Sequence, residues 1–331
     1  MKQVTKTREL FTLDCQGAPL HGTYHLATSF IRPNRTGILF LPGFPMPRSA
    51  HGDAAVYWAS SFADFGYPSF RIDLPGTGDS YGNVPAELLH FLSAGGYESV
   101  VVAAVKQLVD RYNLTGVVIL GHCAGGISAI FAAASCTECR GLILLDPPFH
   151  QPPPGRRKVK KALFYWSSRS RLGGVLSNAY DHFKNIRLRL RKNAPPENAN
   201  VALLRRWKDV ASARLPILLL NAPAPKASAT KPRVGKFDYL QHILKLAGRR
   251  NLVDVRNVES ANHSFSNPLG RAAVRQHVEE WMPVFFPFED QGQAAEYIGG
   301  PAASNNEAGS ANPTSIFARV DATLREAEEV S

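Results

Sequence analysis

A thiol held at a sharp bend is the first chemical feature of this 331-residue chain. Residues 117–127 read Val-Val-Ile-Leu-Gly-His-Cys-Ala-Gly-Gly-Ile, and a run of small and apolar residues continues to Ala134. The four apolar residues Val117 to Leu120, three of them β-branched, predict a short buried strand, and the run from Ile127 predicts a helix. Between them, Gly121-His122-Cys123-Ala124-Gly125-Gly126 has the spacing of a strand-to-helix elbow that presents a nucleophile. Such a turn holds its central residue at strained backbone angles, and the small residues at 121, 124 and 125 avoid collision around it. Cys123 stands where serine is usual. The competing reading is a tight turn with a buried cysteine acting as a small hydrophobe. A thiol with the ordinary pKa of ~8.5 is thiolate only to about a few per cent at neutral pH. As a nucleophile it needs an imidazole within hydrogen-bond reach, which takes its proton or stands as imidazolium beside the thiolate. The dipole of a helix beginning at Gly125 adds to the anion's stability. Cys136 and Cys139 form a lone C-x-x-C with no second pair, read as a helix-end coincidence rather than a metal or redox site.

The elements that must hold this elbow follow one rhythm. Residues 10–28 alternate about a turn at 15–19, which predicts an opening hairpin. Ile38-Leu39-Phe40-Leu41 reads as a strand ending at Pro42-Gly43-Phe44-Pro45. Helical spacing of Trp58 and Phe62 covers 54–65, and a strand over 67–74 closes on Pro75-Gly76-Thr77-Gly78-Asp79-Ser80. A helix over 97–112, with Val100, Val101, Ala104 and Leu108 on one face, leads to the elbow strand. Further strands follow at 141–145, ending in Asp146-Pro147-Pro148, and at 216–220 and 252–256. Strands that alternate with helices and are apolar throughout imply a parallel sheet covered on both faces. Ligands of such sheets bind beyond the carboxyl ends of the strands, where every loop named here lies.

Residues 149–213 break the rhythm. They open with Gln151-Pro152-Pro153-Pro154 and carry the basic runs Arg156-Arg157-Lys158 and Arg187-Leu188-Arg189-Leu190-Arg191-Lys192, with Leu163-Phe164-Tyr165-Trp166 between them. They read as a mostly helical cap inserted between core segments 1–148 and 214–286. Residues 151–210 hold 15 Lys/Arg against 3 Asp/Glu, a net +12 that exceeds the +11 of the whole chain. That charge is either a solvated helical face or a surface for an anionic substrate or an anionic membrane. Nucleic acid is not expected, because no binding motif accompanies the charge. The segment 287–331 holds 8 acidic and 2 basic residues and reads as a flexible tail, with a short acidic helix over 315–330. The 44% hydrophobic and 20% charged residues describe an ordinary globular protein, and no apolar run approaches the ~18 residues needed to span a bilayer. No apolar segment of signal-peptide type follows the first methionine, and four cysteines make no disulfide framework, so a cytoplasmic location is expected.

Four features in order carry a family resemblance: the Leu-Pro-Gly-Phe loop at 41–44, the stretch Arg71-Ile72-Asp73-Leu74 through Ser80, the elbow, and Ala261-Asn262-His263-Ser264-Phe265. Over roughly 20–285 the chain resembles the α/β-hydrolase superfamily, nearest its serine-aminopeptidase-like or lysophospholipase-like branch. The resemblance implies an α/β-hydrolase fold, with His263 as the catalytic histidine on the loop after the last strand. It assigns the two oxyanion donors to the backbone N–H groups of Ala124 and Phe44. Asp73 and Asp79 fall in a loop that braces the elbow in that family. The acid departs from the pattern, since the strand at 216–220 runs into Asn221-Ala222-Pro223 with no carboxylate. Some members place the acid one strand earlier, which offers Asp146, although Asp before Pro is also a common turn. Asp238 is the second candidate, and a site with no orienting carboxylate is the third, since a standing thiolate depends less on one. The box Gly-x-Cys-x-Gly-Gly also resembles that of polyhydroxyalkanoate synthases, and a cysteine elbow resembles dienelactone hydrolases and certain hydrolases of exopolysaccharide export. The expectation is a hydrolase that cleaves an ester or thioester of a small acyl substrate through acyl-Cys123, needing no cofactor or metal. An acyltransferase on the same site and a catalytically retired binding protein are the alternatives, the latter because of the missing acid.

Overall fold

The computed structural model of the protein describes residues 7–15, 17–27, 33–151, 198–223 and 238–288. The body of the expected insertion, 152–197, and all of the expected tail 287–331 except Pro287 and Phe288, which pack on the core, lie outside the described residues. Among the described residues eight strands form one sheet: β1 (Arg8–Cys15), β2 (Ala18–His25), β3 (Thr36–Leu41), β4 (Ser69–Ile72), β5 (Gly116–His122), β6 (Cys139–Leu145), β7 (Ile217–Asn221) and β8 (Val253–Asn257). Their order is β1-β2-β4-β3-β5-β6-β7-β8. The expected hairpin is present, with β1 antiparallel to β2 and β2 antiparallel to β4. From β4 to β8 every pairing is parallel. This is an α/β-hydrolase-type arrangement, a mostly parallel sheet with helices on both faces.

Alternation along each strand divides the core in two. Leu39, Leu41, Val117, Ile119, Leu142, Leu144, Ile217 and Leu219 face one side. There they meet α3 (Glu98–Tyr112), α4 (Ala124–Ala133) and α5 (Val201–Ser212), with α6 (Tyr239–Ala247) beyond. Ile38, Phe40, Val118, Leu120, Ile143, Leu145, Leu218 and Leu220 face the other, against α1 (Ala54–Asp64) and α7 (Pro268–Phe285). Both faces of these strands are covered, which is why their sequences read as unbroken apolar runs. A one-turn helix, α2 (Leu88–Ser93), precedes α3.

One boundary differs from expectation. Residues 201–212 were expected within the insertion, yet α5 carries Leu203, Leu204, Trp207, Val210 and Ala211 into the core. Trp207 is fully buried and donates its ring N–H to the carbonyl of Ile243 in α6. The five apolar positions recur at helical spacing, a pattern masked in the sequence by Arg205, Arg206 and Lys208 on the opposite face. The two ends of the insertion meet directly after β6, where His150 bridges Ala199 and the Gln151 N–H donates to Asn198 at 2.7 Å.

Candidate active site

The elbow is built as its spacing demands. β5 ends at His122, α4 starts at Ala124, and Cys123 lies between them at φ 49°, ψ −115°. A non-glycine residue in that region stores on the order of 1–3 kcal/mol of strain. Two hydrogen bonds hold it there: the Cys123 N–H donates to Leu145 at 2.8 Å, and the Cys123 carbonyl accepts from Gly126 at 3.0 Å. A Cβ on Gly125 would collide with the carbonyl oxygens of Leu41 and Pro42, so only glycine lets α4 approach the end of β3. Cys123 is partly exposed, whereas Cys15, Cys136 and Cys139 are buried, and all four are free. Burial pushes the Cys136 thiol up to about 11 and the Cys139 thiol up to about 12, so the C-x-x-C pair is unreactive.

The loop after β3 crosses the elbow. A Cβ on Gly43 would lie 3.1 Å from His122 Nδ1 and 3.5 Å from Cys123 Cβ. Phe44, the next residue, stacks on Tyr97 with ring centroids 5.1 Å apart. Neither the Phe44 N–H nor the Ala124 N–H donates to a group among the described residues. The loop is fixed from behind by Arg48. Its backbone N–H donates to the Asp73 carboxylate at 2.6 Å, and its guanidinium pairs with Asp73 and, at 2.8 Å, with Asp79. Asp73 is fully buried and also accepts the Asp79 N–H at 3.1 Å. These residues tie the loop after β3 to the loop after β4. Arg48 carried no sequence signal, because its partner lies 25 residues away.

His263 arrives from the loop between β8 and α7. Phe265, fully buried, anchors that loop in the core, and Asn262 and Asn267 bond its backbone at Ser266 and Ser260. Asp146 follows β6 at φ 50°, a left-handed conformation that aspartate tolerates, and its N–H donates to Leu220 at 3.0 Å. The His263 Nδ1–H donates to Asp146 Oδ2 at 2.8 Å. The His263 side chain is 62% exposed and that of Asp146 27%. The hydrogen bond to Asp146, then the hydrogen bond to Cys123, push His263 up to about 10 against the opposing effect of burial. With Nδ1 committed to Asp146, Nε2 is the ring nitrogen left for proton transfer. Asp238 lies elsewhere in role: it caps α6, accepting the Gln241 N–H at 2.9 Å.

Of the residues expected to form the site, Cys123, His263 and Asp146 thus converge at the carboxyl edge of β5, β6 and β8, and Gly121, His122, Gly125 and Gly126 shape the turn beneath them. Among the described residues no group of three or more His, Cys, Asp or Glu is arranged to hold a metal ion. A second interaction that gave no sequence signal is made by His122, whose Nε2 lies 2.9 Å from the carbonyl oxygen of His263. No helix among the described residues is long and apolar enough to cross a membrane.

A family model described as the alpha/beta hydrolase family matches residues 38–274. No curated protein matches the sequence. Among solved structures, an esterase of Pyrococcus furiosus is similar with a TM-score of 0.54 at 14% identity, covering 84% of this chain and 91% of its own. The esterase domain of a Rhodothermus marinus protein has a TM-score of 0.52 at 16% identity, covering 84% and 99%. A serine hydrolase without a lid from Xanthomonas campestris has a TM-score of 0.50 at 13% identity, covering 86% and 98%.

Proposed function

Because the chain belongs to the alpha/beta hydrolase family, we propose that it cleaves an ester or thioester through an acyl intermediate on Cys123. The observation that carries this reading is His263, held by Asp146 at 2.8 Å and near enough to Cys123 for the sulfur to raise its pKa. His263 takes the Cys123 proton, or already holds it, so that the sulfur reacts as a thiolate. The sulfur attacks the substrate carbonyl carbon, and the carbonyl π electrons move to oxygen. The N–H groups of Ala124 and Phe44, with no other acceptor among the described residues, are the donors for that oxyanion. As the C–O or C–S bond breaks, His263 Nε2 gives its proton to the leaving alkoxide or thiolate. Neutral His263 then takes a proton from water, whose oxygen attacks the thioester. The C–S bond to Cys123 breaks, the carboxylic acid leaves, and the site is ready for another substrate.

The serine-aminopeptidase-like or lysophospholipase-like branch remains the nearest on its motifs, and peptide substrates fit less well. A thiolate expels an amine poorly unless the amine is well protonated. The reading predicts that the protein hydrolyses p-nitrophenyl esters with a burst of p-nitrophenol matching the enzyme concentration, and that Cys123→Ala removes both burst and turnover. No burst and no turnover in the wild type would leave a binding protein on a hydrolase scaffold, and equal hydrolysis by Cys123→Ala would put the nucleophile elsewhere. A burst without turnover, resumed on adding an alcohol or amine, would make the protein an acyltransferase instead.

A further inference from the structure

Three parts of the site meet on one buried side chain to which the acyl-enzyme chemistry gives no task. His122 is 6% exposed and, as the last residue of β5, directly precedes Cys123. Its Nδ1 edge lies under Gly43, 3.1 Å from where a Cβ would stand. Its ring meets Phe265 edge to face, with centroids 6.2 Å apart, and lies 5.6 Å from the His263 ring. Its Nε2 lies 2.9 Å from the backbone oxygen of His263. We infer that His122 is a positioning residue, whose Nε2–H donates to the His263 carbonyl and so fixes the His263 imidazole against the sulfur of Cys123.

This inference rests on the acyl-cysteine reading above. A carbonyl oxygen only accepts, so the bond requires the proton on Nε2. Nδ1 is then a bare lone pair, compatible with the close pass of Gly43. Burial pulls His122 down to about 4; the neighbouring His263 and His51 rings also lower it, while the His263 hydrogen bond and Asp146 oppose. The ring therefore stays neutral through the working range and holds its tautomer while His263 changes charge. The elbow and the histidine loop are 141 residues apart in sequence, and this bond joins them directly. An exposed base needs such a constraint, because reacting atoms displaced by about 1 Å lose about a hundredfold in rate.

Two measurements test it. In protein with 15N-labelled histidines, the His122 ring should give the neutral Nε2–H signature from about pH 6 to 9. An Nδ1–H tautomer or an imidazolium there would overturn the inference without any variant. The second is iodoacetamide alkylation of Cys123 near pH 6, followed by peptide mapping. His122→Leu keeps the volume and removes the donor, so alkylation and kcat should fall about tenfold with KM little changed. His122→Gln restores an N–H and should recover most of that loss. Wild-type rates in His122→Leu, or no recovery in folded His122→Gln, would remove His122 from this role. If wild-type Cys123 itself shows no preferential alkylation, the acyl-cysteine reading fails, and this inference with it.

Discussion

Asp146 owes its place to a left-handed backbone angle at the end of β6, which turns its carboxylate toward His263. Sequence alone left Asp146 and Asp238 both open, and the two occupy different chemical settings. One accepts the His263 Nδ1–H, while the other caps the first turn of α6. Asp146→Asn should therefore lower ester turnover by about 10–100-fold, since the amide can turn its own N–H toward the imidazole and upset its tautomer. Asp238→Asn should leave turnover within about twofold, because asparagine caps a helix as well as aspartate does. Steady-state kinetics of the two variants decide the matter, and equal turnover in both would detach Asp146 from the site.

At the scale of elements, buried polar groups lock the loops of the carboxyl edge to the hairpin. Arg71 donates Nε–H to His25 Nε2 at 2.9 Å and Nη1–H to the Arg48 carbonyl at 3.0 Å, which joins β2, β4 and the loop after β3. Burial, then the charges of Arg71 and Arg8, pull His25 down from 6.5 to about 3. Between those values the unfolded chain binds the proton that folded His25 refuses. Stability from this group is thus complete above pH 6.5 and declines as pH falls toward 3, by up to about 1.4 kcal/mol per pH unit. His263, raised to about 10, acts in the opposite sense: its contribution is complete below pH 6.5 and is lost as pH rises through about 10. Thermal melts should peak near pH 6.5, with a shallower acid limb in His25→Gln and a shallower alkaline limb in Asp146→Asn. An acid limb as steep in His25→Gln as in wild type would contradict the assignment. The exposed edge of β1 is covered by side chains of α3: Gln107 bonds both the N–H and the carbonyl of Asp14, and Arg111 bonds the carbonyl of Thr12. Those contacts blunt an edge that would otherwise invite further strands.

Across the whole molecule, residues 286–288 close the core at its far end. Asn34 donates to the carbonyls of Phe286 and Pro287, Tyr67 donates to that of Phe286 at 2.7 Å, and Phe288 packs on Phe65 and Tyr67. A chain ending after residue 285 should melt about 5–10 °C below one ending after 288, from the loss of three hydrogen bonds. Equal melting temperatures would show that these contacts carry no stability. Most of the sheet was legible in sequence because its strands are buried on both faces and end in Gly, Pro or Asp. The elbow was legible because steric crowding leaves few residue choices at 121 and 125. Helices α6 and α7 were not foreseen, since their apolar residues are spaced among charges and their pattern gains meaning only against the sheet. Nor could pattern reveal Arg48 with Asp73, or His122 with His263, because long-range pairs leave no local trace. The central claim is tested most directly by mixing the protein with a p-nitrophenyl ester, quenching in acid within the burst, and locating the added acyl mass by peptide mass spectrometry. The mass should lie on Cys123 and accumulate further in His263→Gln if deacylation is slowed more than acylation; an acyl group on another residue, or none in protein that turns over the ester, would contradict the claim.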